Sequence, residues 1–160
     1  MTPATRDKLL QVGGKAIVAA LARHGIAGRD VGRLPPADPF AGEACLELEA
    51  CRAGHVLVLE RPVARLPERL VQRLAGIVMR HDLRQVPVAA GDVILRDRTA
   101  LIVLPAALAE QVADEAAEAI AFEEFTAEQV NQGGGVYGLH IPSGERARQA
   151  FAQWRRMKGR

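Results

Sequence analysis

The segment from Arg80 to Gln85 carries the densest group of side chains that could take part in chemistry. It contains two arginines, a histidine, an aspartate and a glutamine, and it follows a short apolar run, Gly76 to Met79. His81 and Asp82 are adjacent, so they could form an acid–base pair or simply lie on the polar surface. Arg84 could hold a carboxylate or be one of the surface charges common in loops. These residues are the first candidates for a functional site.

Two apolar strands with a helix between them would position this segment. His55 to Leu59 and Ala75 to Met79 are continuous apolar runs of strand length, which indicates strands buried on both faces. Between them, Arg65 to Leu74 has leucines at i+4 spacing, which predicts a short helix. Strand, helix and strand in this order form a βαβ unit, and the chemistry of such units usually lies beyond the carboxyl ends of the strands. Those ends are residues 60–62 and Arg80 to Gln85.

The first 50 residues predict two helices and one strand. Thr2-Pro3 is a typical helix start, and Gly13-Gly14 separates this helix from a second one over residues 15–24. A proline-rich loop is expected over residues 32–42. Ala44 to Glu49 alternates in polarity, which predicts a half-buried strand at a sheet edge.

The second half predicts a hairpin followed by long helices. Asp92 to Leu95 and Ala100 to Leu104 form the hairpin strands, and Pro105 opens an amphipathic helix. Gly133 to Gly135 stops that helix. These glycines are not a phosphate loop, because they follow a helix and precede no Lys-Ser/Thr pair. Ser143 is the expected N-cap of a last helix, which buries a phenylalanine and a tryptophan.

Length and composition predict a single soluble domain. The chain has 160 residues, of which 49% are hydrophobic, and its apolar runs are far shorter than the ~20 residues of a membrane span. The N-terminus has no apolar signal core, so we expect a cytoplasmic protein that does not bind membranes. Cys45 and Cys51 fit no zinc pattern and are expected to be reduced, partly buried thiols. His55 and His140 lie among apolar residues, which favours core or interface positions.

The net charge of +2 says little about partners, but the charge is unevenly distributed. Seven acids lie between Glu110 and Glu128, and six basic residues lie between Arg146 and Arg160. The basic stretch has one aromatic residue, Trp154, at a core-facing spacing, so it lacks the interleaved aromatics of a nucleic-acid stacking surface. Mutual neutralisation of the two helices, or two solvated faces, is favoured over nucleic-acid binding.

Several segments together resemble a known family. The clearest are Gly91 to Leu95, Ala100 to Pro105 and the helix from Ala106, with weaker similarity over residues 5–25 and 54–58. They resemble the RraA-like family, which comprises ribonuclease E regulators and metal-dependent aldolases acting on 4-hydroxy-4-methyl-2-oxoglutarate and 4-carboxy-4-hydroxy-2-oxoadipate.

The resemblance implies one swivelling β/β/α domain over residues 1–160. Its parts would be N-terminal helices (5–25), a sheet core with the βαβ unit (44–104) and long C-terminal helices (105–158). It also implies a homotrimer, or a mixed oligomer with a paralogue, and a ribonuclease as a candidate partner.

The family's site is a strand that runs into a loop of the form Asp-Gly-x-x-Arg-Asp. In that register, Arg84 stands on the arginine that holds the carboxylate of the pyruvyl product, and Gln85 stands on the metal-proximal acid. Pro67-Glu68 resembles the start of the family's Gly-Glu-x-Leu segment. The resemblance therefore implies Arg84 and Glu68 as catalytic residues and Arg84 and Gln85 as substrate-binding residues. Glu68 and Asp82 are the candidate ligands for Mg²⁺ or Mn²⁺.

Gln85 favours one of the functions that the resemblance leaves open. Mg²⁺ prefers anionic oxygen ligands, and an amide carbonyl is a weaker partner. The segments around the site are also shorter than in aldolase-type members. We therefore expect a non-catalytic or weakly catalytic binding or regulatory oligomer that binds a partner or a small carboxylate, with Mg²⁺, Mn²⁺ or no cofactor. The alternative is a metal-dependent class II pyruvate aldolase or oxaloacetate decarboxylase with altered ligands. A third possibility is a subunit that supports a full-length paralogue.

Overall fold

The computed structural model describes residues 1–31, 34–35, 37–98, 100–133 and 145–159, the side chain of residue 146 excepted. They form a six-stranded sheet and five helices, the mixed α/β fold that the sequence predicts. The helices are α1 (Pro3–Val12), α2 (Gly14–Arg23), α3 (Glu68–Val71), α4 (Ala109–Asn131) and α5 (Glu145–Lys158). The strands are β1 (Asp30–Val31), β2 (Phe40–Cys45), β3 (Val56–Leu59), β4 (Gly76–Met79), β5 (Val93–Arg96) and β6 (Leu101–Leu104). Single 3₁₀ turns occur at Leu48–Ala50, Arg80–Leu83 and Ala106–Leu108.

The start of the chain folds as its capping residues predict. The hydroxyl of Thr2 accepts a hydrogen bond from the backbone N–H of Thr5 (3.1 Å), with Pro3 as the first helical residue. Gly13 has φ of 75°, a conformation that L-residues rarely adopt, and it both ends α1 and precedes α2. The predicted pair of helices is confirmed.

The sheet has the order β1-β6-β5-β2-β3-β4. β5 and β6 pair antiparallel as the predicted hairpin. β3 and β4 pair parallel, from Val56 opposite Gly76 to Leu59 opposite Met79. Because α3 connects these two strands, the predicted βαβ unit is confirmed.

The prediction of a strand over residues 44–49 at the edge of the sheet was wrong in both bounds and position. β2 spans Phe40–Cys45 and lies between β3 and β5, inside the sheet. The thiol of Cys45 donates a hydrogen bond to the carbonyl oxygen of Glu47 (2.9 Å), and the chain then enters the 3₁₀ turn Leu48–Ala50. Because β2 begins at Phe40, the proline-rich loop ends before residue 42, where it was expected to end.

The helix predicted over residues 65–74 is only four residues long, from Glu68 to Val71. Pro67 disfavours the helical conformation in the residue before it, which sets the N-terminal limit. The residues after α3 lead into β4, and just before β4 the N–H of Ala75 donates to the carbonyl oxygen of His55 (2.8 Å).

β4 was expected to be buried, but it is the outer strand, and Ile77 is 38% exposed. The two-residue strand β1 was not predicted.

Contacts between residues divide the chain into two compact units, Met1–Ala116 and Ala117–Arg160. In the first unit, one apolar cluster joins α1, α2 and the start of α4 to one face of the sheet, through Leu9, Ile17, Val93 and Val112. A second cluster holds residues of the opposite sheet face. It includes Val56, Val58, Val78, Leu83, Val86, Val88, Ile94 and Val103.

The second unit is held by aromatic side chains. Phe122, Phe125 and Phe151 contact one another with ring centroids 5.2–6.0 Å apart, and Trp154 packs against the last two. The Trp154 indole N–H donates to Glu128 (2.8 Å). Lys158 pairs with Glu128 (2.8 Å), so part of the opposite charge of these helices is neutralised, as expected. The predicted N-cap, Ser143, lies outside the described residues.

No helix within the described ranges is long and apolar enough to span a membrane.

Candidate functional site

The parallel pairing of β3 and β4 brings the residues that follow them together. Leu59 is opposite Met79, and Glu60 and Arg80 come next on each strand. The guanidinium Nε of Arg80 lies 3.3 Å from Oε1 of Glu60. Its Nη1 is buried and has no hydrogen-bond partner within the part of the chain that is described. The carboxyl edge of this βαβ unit therefore carries an ion pair with one unused donor.

A tight turn follows the 3₁₀ turn Arg80–Leu83. The N–H of Val86 donates to the carbonyl oxygen of Leu83 (2.9 Å), which closes a four-residue turn. Leu83 is fully buried and Val86 nearly so, whereas Arg84 and Gln85 between them are exposed. The turn is thus anchored at both ends in the core and presents its two central side chains to solvent.

The backbone of Arg84 is strained. Its φ of 52° and ψ of −121° are those of the first central residue in a type II′ turn, a position that glycine normally occupies. It is the only non-glycine residue with positive φ among those described. Backbone outliers of this kind cost about 1–3 kcal/mol and cluster at functional sites. This turn could not be predicted from the sequence, because Arg-Gln is not a typical turn pair.

The guanidinium of Arg84 forms no ion pair with any residue that the structure describes. An exposed guanidinium can donate two parallel hydrogen bonds to a carboxylate, which a lysine cannot do. Gln85, its neighbour, supplies an amide that can donate and accept but carries no charge. The chemistry available at this turn is anion recognition.

His81 and Asp82 are in contact on the preceding turn. Nε2 of His81 lies 3.4 Å from Oδ1 of Asp82, and their side chains are 72% and 41% exposed. The predicted pair therefore meets, but on the surface, where water competes for both groups.

The candidate metal ligands Glu68 and Asp82 each contact another side chain. Glu68 is exposed in the first turn of α3, and its carboxylate accepts a hydrogen bond from Gln72 (3.5 Å). Asp82 contacts His81 instead. Among the described residues no three or more His, Cys, Asp or Glu side chains lie where they could hold a metal ion. Two carboxylates with partners of their own and a neutral Gln85 do not fit the needs of Mg²⁺.

Asp92, in the segment that carries the resemblance, has a structural role. One carboxylate oxygen accepts from the N–H of Ala89 (3.0 Å) and the other accepts from the N–H of Ala106 (3.2 Å). Asp92 thus closes the turn before β5 and caps the 3₁₀ turn that leads into α4.

The remaining sequence candidates lie away from this turn. Cys45 is buried, Cys51 is half-buried, and both are free thiols, as expected. Burial, followed by a hydrogen bond to the Cys45 thiol and the charges of Cys45 and Glu49, raises the pKa of Cys51 to about 12. His140 and two glycines of Gly133–Gly135 lie outside the described residues.

No family model matches the sequence, and no curated protein matches it either. Solved structures do share its fold. An uncharacterised protein from Pseudomonas syringae pv. tomato is 14% identical, with a TM-score of 0.58 over 88% of this chain and 98% of its own. A crystal structure of novel cellulases from microbes associated with the gut ecosystem is 14% identical, with a TM-score of 0.60 over 78% of this chain and 89% of its own.

A third structure is RraAS2 of Streptomyces coelicolor, an unusual member of the RNase ES inhibitor RraA protein family. It is 18% identical, with a TM-score of 0.59 over 80% of this chain and 98% of its own. Identities this low carry information about the fold alone. The chain has a divergent RraA-like fold.

Proposed function

We propose that this chain is a non-catalytic RraA-like binding protein that recognises a carboxylate through Arg84. The observation that carries the proposal is the turn Leu83–Val86. It presents an arginine that pairs with no described residue at a position where glycine would relieve strain. A charged side chain at this strained backbone position indicates that the guanidinium itself has a function. Its ligand would be a small carboxylate or an acidic side chain of a partner protein.

Gln85 and Arg80 support a binding role over aldolase chemistry. A class II aldolase needs a divalent cation to stabilise an enolate, and anionic oxygens must hold that cation. Gln85 offers a neutral amide, and the Arg80–Glu60 ion pair occupies the carboxyl edge. The exposed guanidinium of Arg84 favours an anion and opposes a cation at the neighbouring turn.

The first test is a titration with pyruvate as the probe, followed by amide chemical shifts of residues 80–88. The wild type should bind, and Arg84→Ala should lose at least about tenfold in affinity, as expected for one charged hydrogen-bonding group. Arg84→Lys should recover only part of it, because an ammonium cannot bind both oxygens in parallel. Equal affinity in all three proteins would sink the proposal.

The second test asks whether the chain is an enzyme. Oxaloacetate with Mg²⁺ or Mn²⁺ should yield pyruvate no faster with the protein than with the metal alone. If the wild type turns over oxaloacetate and Arg84→Ala does not, the binding role is wrong and the aldolase or decarboxylase alternative is right. Gln85→Asp restores an anionic oxygen and tests whether that one change is enough to create activity.

An oligomer and a ribonuclease partner also belong to the proposal. RraAS2 is an unusual member of an RNase inhibitor family, and the βαβ unit of this chain exposes Val63, Val71 and Ile77. We expect these side chains to contribute to the contact between subunits. Light scattering of the purified protein should give three times the mass of one chain. A monomer over the whole concentration range would contradict the trimer.

A further inference from the structure

Two cavities in the first unit meet at one pair of side chains, Glu43 and His55. The smaller cavity, of about 280 Å³, lies between this pair and the start of α1. The larger, of about 360 Å³, is bounded by Leu46, Ala50 and Ala90. Pockets of about 300 Å³ and above are large enough for small ligands.

A hydrogen bond to one ring nitrogen of His55 leaves the other nitrogen to face Glu43. Nδ1 accepts a hydrogen bond from the backbone N–H of Arg52 (3.3 Å), so in the neutral ring the proton lies on Nε2. Nε2 is 3.9 Å from Oε2 of Glu43, which is too far for a direct hydrogen bond. A single oxygen atom could nevertheless lie about 2.8 Å from both atoms. The other oxygen of Glu43 contacts the N-terminal ammonium group.

A donor and an acceptor at this separation are complementary to a hydroxyl group. The hydroxyl oxygen can accept from Nε2–H of His55 while its proton is donated to Glu43. Among the described residues lining the larger cavity there is no Lys or Arg, and Glu47 is the only charged residue besides Glu43, so an anion is disfavoured. We propose that the Glu43–His55 pair binds the hydroxyl group of a small uncharged alcohol, whose aliphatic body occupies the larger cavity.

This site is separate from Arg84. His55 directly precedes β3, whereas the turn with Arg84 follows β4, and the two strands run parallel. The sites therefore lie at opposite ends of four-residue strands, about 13 Å apart along the strand direction. They also differ in charge preference, so this inference does not depend on the proposed function.

The test uses probes with one body and different head groups. Cyclohexanol should shift the amide resonances around residues 43–55, with an affinity of about millimolar for so small a molecule. Cyclohexanecarboxylate at the same concentration should leave them unchanged. His55→Phe keeps a planar ring and removes the donor, so binding of cyclohexanol should weaken about tenfold. Arg84→Ala is the matched control and should bind cyclohexanol as the wild type does.

Two further variants separate loss of the site from loss of the fold. Ala50 is exposed on a 3₁₀ turn, so Ala50→Leu should fold normally and block the larger cavity. Glu43→Gln keeps the shape and weakens the acceptor. Binding that survives both Ala50→Leu and His55→Phe would overturn the proposal. Equal shifts with alcohol and carboxylate would overturn it too, as would no shift with cyclohexanol at about 20 mM, well above the expected affinity.

Discussion

At the scale of single residues, Arg84 combines an exposed guanidinium with an unfavourable backbone conformation. The sequence alone places Arg84 in a loop after a strand, because the apolar run and the polar run are adjacent. It does not reveal the type II′ conformation, which is imposed by burial of Leu83 and Val86 on either side. The loop position of Arg84 was predictable from the sequence, and its backbone strain was not.

Replacement of Arg84 by glycine should stabilise the protein. Glycine adopts positive φ without strain, so Arg84→Gly should raise the free energy of unfolding by about 1 kcal/mol. Arg84→Ala removes the same side chain but keeps the strain, and it should leave stability near the wild-type value. Urea unfolding of the three proteins measures the difference. If glycine and alanine behave alike, the backbone of residue 84 is not strained.

Cys51 should react slowly in the folded protein. Burial and the neighbouring Cys45 thiol raise the pKa of Cys51 from 9.0 to about 12, and only the thiolate is alkylated. At pH 8 the folded thiol should react with iodoacetamide about a thousandfold more slowly than in urea, and its rate should rise about tenfold per pH unit. Mass spectrometry of the peptide that contains Cys51 gives the rates. Rapid labelling at pH 7 without denaturant would contradict the assignment.

At the scale of elements, local signals predicted the boundaries that depend on caps and glycines. Thr2, Pro3 and Gly13 set the ends of α1 as expected, and the hairpin of β5 and β6 followed from two apolar runs on either side of a short polar turn. The errors arose where tertiary contacts override a pattern. The leucines around α3 have helical spacing but are only half-buried, and Pro67 shortens the helix. The alternation after Cys45 belongs to a turn and not to a strand.

Asp92 should contribute to stability through the two backbone groups that it bonds. Asp92→Ala leaves the N–H groups of Ala89 and Ala106 without these acceptors, so the free energy of unfolding should fall by about 1–2 kcal/mol. Asp92→Asn keeps one acceptor oxygen, so its free energy of unfolding should fall by less. Asp38 is exposed, and Asp38→Ala serves as the control, with an expected change within about 0.5 kcal/mol. A similar loss in both alanine variants on urea unfolding would refute the capping role.

At the scale of the whole molecule, the pairing of parallel and antiparallel strands could be predicted only in part. The βαβ unit follows from element order, but the position of β2 inside the sheet depends on partners distant in sequence. Small residues allow that position. A Cβ added to Gly76 of β4 would lie 2.7 Å from the Phe40 ring, so the ring of β2 packs directly over the glycine. Such a pairing has no local signature.

The stability of the fold should depend on pH through Glu115 of α4. Nε2 of His24 lies 2.9 Å from its carboxylate, and Gln111 donates to the same oxygen (3.0 Å). Burial alone would raise the pKa of Glu115, but these hydrogen bonds, with the charge of His24 and a bond from Arg23, lower it below its ordinary value of 4.5.

A carboxyl group whose pKa is lower in the folded state stabilises the protein above its unfolded pKa. That contribution is lost as the pH falls from about 4.5 through the folded pKa. Glu115→Gln should therefore be less stable than the wild type at pH 6, and the gap should close at pH 3. Urea unfolding at both pH values measures it. An equal gap at the two pH values would mean that the charge of Glu115 is not responsible.

The most direct test of the account is a pyruvate titration of the wild type and Arg84→Gly under the same conditions. The glycine variant relieves the strained turn and removes the guanidinium, so stability and binding should change in opposite directions. We predict a more stable protein that has lost at least about tenfold in affinity for pyruvate. A glycine variant that is more stable and binds pyruvate as tightly as the wild type would contradict a role for Arg84 in carboxylate recognition.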